Sequence, residues 1–140
     1  MFEMKKEQIL KDAQVFEDLD EKFRDALSDV LEQILIGTLG KPEAIATFAC
    51  LEQNYQLKKE IIPENLERFH EGMIQMFGSG TFLIEEYIME KLRAILFCKQ
   101  RHHRPMHKRE WRLDFPRYIQ NLKIAYTNGM KFYHEEIKKG

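Results

Sequence analysis

Apolar residues in this chain recur at three- and four-residue intervals, in blocks that a glycine closes or a proline opens, and almost no stretch alternates in the manner of a strand. That periodicity restricts the chain to helices packed through one face each. The clearest block is Phe23, Ala26, Leu27, Val30, Leu31, Ile34 and Leu35, a core-facing stripe. Asp20 is the expected N-cap of this helix, and Lys5–Phe16 is expected as a short separate helix before it, with Ile9, Leu10, Ala13 and Phe16 on one side. Gly37 or Gly40 supplies the stop.

Pro42 suits the first turn of the next helix, where its missing N–H has no partner to lose. That helix carries Ile45, Phe48, Ala49 and Leu51–Glu52 toward Tyr55. By the same logic Pro63 opens a fourth helix, with Glu64 at the positive end of its dipole and Leu66, Phe69, Met73, Met76 and Phe77 on its apolar face. Gly78 ends it, and Ser79 or Thr81 caps a fifth with a wide stripe of Leu83, Ile84, Tyr87, Ile88, Leu92, Ile95 and Leu96. Asp114 and Pro116 signal a last helix bearing Ile119, Leu122, Tyr126, Phe132, Tyr133 and Ile137, kinked or divided at Asn128-Gly129. The expected fold is all-α: a helical bundle of five to six helices with a basic C-terminal helical extension. At 140 residues the chain has the length of a single core.

Charge is distributed unevenly over this frame. Residues Met1–Phe97 hold 11 Lys and Arg against 19 Asp and Glu, a net of −8, whereas Cys98–Gly140 hold 11 against 4, a net of +7. The division marks an acidic helical core over 1–97. A basic loop plus C-terminal helix over 98–140 is expected to pack on the same domain. The densest part, Lys99–Arg112, has six Lys and Arg, three His and a single opposing Glu110. Such a segment points either to an anionic partner or to pairing with the acidic helices.

The stretch from Ile61 to Leu92 carries a pattern: a proline-started helix ending in Phe-Gly-x-Gly, then a helix with Ile-Glu and a spaced Ile and Leu. Its residues here are Pro63, Phe69, Phe77, Gly78, Gly80, Ile84, Glu85, Ile88 and Leu92. Upstream, Leu39-Gly40 and the helix with Leu51-Glu52 fit the same layout. Over roughly residues 23–96 the chain resembles the archaeal Nitrosopumilus output domain family. Thr81-Phe82 departs from the small residues usual there, and the basic segment has no counterpart. The resemblance implies a small helical signal-output or interaction module and no catalytic residues. The same residues also have a plain structural account, with the glycines shaping a tight turn and Ile84, Ile88 and Leu92 in the core.

Candidate chemistry concentrates in the basic segment. Lys99, Arg101, Arg104, Lys108, Arg109 and Arg112 are placed to contact phosphates and Trp111 to stack on a base, with Phe115, Tyr118, Tyr126, Phe132 and Tyr133 as a further stacking set or as buried core. Cys98, His102, His103 and His107 are of the types zinc prefers, but without paired Cys-x-x-Cys ligands they make only a weak site. Glu86 and Glu90 share a helix face, and Glu67-Arg-Phe-His70 is a single Glu-x-x-His without a second copy. His70 itself is isolated and expected on a partly exposed face. No nucleophile elbow, phosphate-cradling loop or dinucleotide fingerprint occurs, so no catalytic residue or cofactor is expected.

Two isolated cysteines, Cys50 and Cys98, fit a reducing compartment, with one disulfide between them as the alternative. MFEMKKEQILKD lacks the apolar core of a signal peptide, and charges interrupt Thr81–Cys98, so a cytoplasmic protein is expected. The reading that results is a non-enzymatic helical regulatory module working through protein contacts or as a homodimer. The alternatives are a nucleic-acid-binding protein using residues 99–112 and a small metal-binding protein.

Overall fold

A helix running from Phe2 to Leu39 (α1) forms the spine on which the other elements assemble. The computed structural model describes residues 2–97 and 114–139, with side chains for 17–97 and 114–129. After α1 come α2 (Lys41–Tyr55), a 3₁₀ turn (Lys59–Glu64), α3 (Leu66–Phe77), α4 (Gly80–Phe97) and α5 (Phe115–Lys139). Among the described residues there is no strand, and the architecture is the expected all-α bundle. α1 packs against α2, the 3₁₀ turn, α4 and α5, while α3 lies across α2, α4 and α5.

α1 is one helix of 38 residues, about 57 Å long, not the two expected. Nothing between Phe16 and Asp20 breaks a helix. Leu19, buried, stands one turn before buried Phe23 and carries the stripe through the anticipated boundary. Asp20 therefore lies mid-helix and caps nothing. Of the two candidate stops, Gly37 stays helical and Gly40 turns the chain, at φ 88°, a conformation that favours glycine. Pro42 sits in the first turn of α2 as expected.

The expectation for Pro63 is corrected. It lies inside the 3₁₀ turn, and α3 begins at Leu66 behind Asn65. Fully buried Ile62 anchors this turn, and the Asn65 amide group donates to the Ile61 carbonyl at 2.9 Å instead of capping α3. Gly78, at φ 57°, ends α3 and starts the tight passage to α4. Asp114 does cap α5: its Oδ1 accepts the Arg117 backbone N–H at 3.2 Å. α5 then runs unbroken through Asn128 and Gly129, since within a continuous backbone ladder these residues cost only propensity.

The core joins Leu27, Leu31 and Leu35 of α1 to Leu51, Leu57, Ile62, Phe69 and Met73, then to Ile84, Ile88 and Leu92 of α4. Phe115, Tyr118, Ile119 and Leu122 of α5 complete it. The stripes read on α2 and α4 are wider than what is covered. α2 buries Ala44, Thr47 and Leu51 and leaves Ile45 60% exposed. On α4 the covered arc is Thr81, Ile84, Glu85, Ile88, Met89 and Leu92, while Leu83, Tyr87 and Ile95 are exposed.

Candidate functional site

The most unusual chemistry in the described residues lies where α3 and α4 face each other. Glu85 is 1% exposed, a carboxyl group inside the apolar arc of α4. It is the Glu of the Ile-Glu pattern, and the helical period that buries Ile84, Ile88 and Leu92 carries it inward with them. From α3, His70 Nδ1 approaches Glu85 Oε2 at 2.6 Å. The His70 ring remains partly exposed and meets the ring of Phe82 edge-on, with 6.1 Å between centroids.

Electrostatics at this pair are set by burial. Desolvation pushes the Glu85 carboxyl above its ordinary range, while the hydrogen bond and charge of His70 pull it back down. The second oxygen, Oε1, is buried without a hydrogen-bond partner among the described residues, as is the hydroxyl of Thr81 one turn earlier. A buried carboxylate that orients an imidazole is a familiar acid–base arrangement. Here the nearest hydroxyl on the same face of α4, that of Thr81, is fully buried, and among the described residues no three His, Cys, Asp or Glu side chains are grouped to hold a metal.

Sequence reasoning missed this site. His70 stands within Glu67-Arg-Phe-His70, but Glu67 is exposed on the outside of α3, and the partner that matters is fifteen residues away on the next helix. Glu86 is half-buried and Glu90 exposed, so the carboxylates of that stretch do not converge. The usable signal was a carboxylate at a position whose helical neighbours are all apolar.

A second feature is a groove of about 700 Å³ between α1, the 3₁₀ turn, the start of α3 and the start of α5. Arg24, Arg68, Arg117 and Lys123 line it beside Glu64, Glu67 and Asp114, a mixed set without a single dominant sign. Arg24 is bound to Glu64 at 2.6 Å and Lys123 to Asp20 at 2.5 Å. The latter joins the basic part of the chain to the acidic part.

The third feature is exposed apolar surface on α4: Leu83 and Tyr87 stand one turn apart on its outer side, Phe82 and Ile95 lie at other points along it, and each of the four is between 44% and 52% exposed. Of the seven large apolar side chains that stand exposed among the described residues, these four lie on α4.

The polyanion candidates Lys99, Arg101, Arg104, Lys108, Arg109, Trp111 and Arg112 lie outside the described residues, as do the metal candidates Cys98, His102, His103 and His107. Of the stacking set, Phe115 and Tyr118 are core residues, 2% and 4% exposed, and so are withdrawn from any base. Tyr126 packs on Phe23 and Phe97, while Phe132 and Tyr133 lie beyond the described side chains. Cys50 is a half-buried free thiol that accepts a hydrogen bond from the Asn54 amide group. No helix among the described residues is long and apolar enough to cross a membrane. Comparison of the chain with family models, curated proteins and solved structures gives no match.

Proposed function

We propose that this protein is a non-enzymatic helical regulatory module, of the signal-output kind its central segment resembles, working through contacts with another protein. The observation that carries the reading is the outer side of α4, where Leu83 and Tyr87 stand one turn apart and about half exposed. α4 is held on its inner side by α1, α3 and α5, so its outer side is presented on a fixed support. A rigid apolar helix face is a common docking element for a partner helix.

The test places a photo-crosslinking residue at Tyr87 and a control at Glu52 on the exposed side of α2. A defined crosslinked species formed from position 87 and lost on Leu83→Glu supports the reading. Crosslinks from position 87 no more frequent than those from position 52 overturn it. Sedimentation of the same proteins over a range of concentrations tells a second copy from a different partner.

The net +7 of Cys98–Gly140 favours a second reading, binding of a nucleic acid through Lys99–Arg112. Affinity for a random duplex or single strand that falls steeply with salt and is abolished by charge reversal at Arg101, Arg104 and Arg109 is its signature. Absence of binding at low salt removes it.

A further inference from the structure

The α3–α4 hairpin is closed at one end by the Gly78 turn, and fifteen residues of sequence separate His70 from Glu85 across it. Ionised Glu85 needs a counter-charge, because one of its oxygens is buried and unpartnered and the other touches only His70 among the contacts described. Three cations of the surrounding elements are held elsewhere. Arg24 of α1 binds Glu64 of the 3₁₀ turn, Lys59 of that turn binds Glu32 of α1, and Lys123 of α5 binds Asp20. On α2, Glu43 and Glu52 are exposed; the phenols of the neighbouring elements are Tyr55 of α2 and Tyr118 of α5. His70 is the charged group that acts on Glu85.

We propose that His70 and Glu85 are a one-proton latch, which holds α3 against α4 while the pair keeps its proton and loosens the hairpin when that proton leaves.

Three states of the pair can be compared. With one proton beyond neutral imidazole and carboxylate, the pair is either an imidazolium beside a carboxylate or a neutral imidazole beside a carboxylic acid, and its net charge is zero. The titration belongs to the two groups together. A second proton leaves the buried carboxyl neutral, with no charge to desolvate. Loss of the one proton leaves a carboxylate with no counter-charge at a position 1% exposed, which is costly. The asymmetry fixes the sign. Burial makes folded Glu85 hold its proton above the ordinary carboxylate range, at pH values where the unfolded chain has released it. The stabilisation is complete below that ordinary range and is lost as pH rises through the value at which the folded pair lets go.

The latch does not depend on the docking reading above, and the experiment needs no partner. Urea denaturation of the full chain is followed from about pH 5 to pH 9 for the wild type and for Glu85→Gln, which keeps an acceptor for His70 but cannot ionise. The wild type is expected to lose stability relative to Glu85→Gln as pH rises. At the steepest part, their unfolding constants should diverge by up to about tenfold per pH unit, the limit for one linked proton. Parallel curves overturn the proposal, as does divergence in the opposite direction. Should Glu85→Gln fail to fold, His70→Gln is read against the wild type in the same assay; it removes the group that supplies the counter-charge. Its deficit against the wild type should be greatest where the pair holds its one shared proton and should shrink as pH rises through the value at which the folded pair lets go. A constant difference between these two curves also overturns the latch.

Discussion

Lys123 of α5 places its ammonium 2.5 Å from Asp20 of α1, and Arg24, one turn along α1, lies 4.0 Å from the same carboxylate. The basic and acidic parts of the chain are thus joined at a point that sequence alone marked as a helix boundary. All three side chains are between 33% and 42% exposed, so the attraction acts through water and is modest. A double-mutant cycle on Asp20→Ala and Lys123→Ala should return a coupling below about 1 kcal/mol that shrinks as salt is raised. A larger, salt-independent coupling would show that the contact is better shielded than its exposure indicates.

Two glycines should respond oppositely to alanine. A methyl group at Gly72 would come within 2.8 Å of Leu51 Cδ2 and 3.3 Å of the Tyr55 ring, where α3 and α2 touch. Overpacking of this kind costs about 1–3 kcal/mol, more than the roughly 1 kcal/mol that helix propensity returns. At Gly37 a methyl group meets nothing within 4 Å, and the residue is helical, so Gly37→Ala should stabilise by up to about 1 kcal/mol. Thermal or urea unfolding of both variants checks the pair of signs.

Thr81 offers a stabilising substitution. Its hydroxyl is fully buried and makes no hydrogen bond among the described residues. Thr81→Val keeps the branched shape and removes the stranded group, and should raise stability by about 1 kcal/mol. A loss of stability would reveal a hydrogen bond to the hydroxyl in solution.

The ring of Phe69 packs on that of Phe115, with 6.1 Å between centroids, and both are buried. Phe115→Ala should destabilise the protein by about 3–5 kcal/mol. The loss should fall first on α5, so hydrogen exchange in α5 should accelerate before that in α1. Uniform acceleration would mean that α5 and the other helices open together.

The sequence made the helices legible because each carries one stripe of local period. Starts and stops were legible where the deciding group is local: Pro42 in the first turn of α2, Asp114 capping α5, Gly78 ending α3. Misjudged positions depend on distant partners. Pro63 was drawn into a 3₁₀ turn whose anchor, Ile62, lies in the shared core. Ile45, Leu83 and Tyr87 fit apolar stripes, yet period alone does not tell which part of a stripe a neighbour covers. Glu85 read as an interruption of an apolar run, because its role appears only when α3 brings His70 across from another helix.

The placement of Phe115, Tyr118, Ile119 and Leu122 in the core has a consequence for how the molecule assembles. The contact between Phe69 and Phe115 spans all of α4 in sequence, so it is slow to form compared with contacts between neighbouring helices. On the ribosome, α1 to α4 emerge before α5 exists to cover them, with Phe69 and Leu92 lacking the last wall of their enclosure. Until α5 docks, the apolar surface it covers stays open to water, and over that interval a nascent chain is exposed to aggregation.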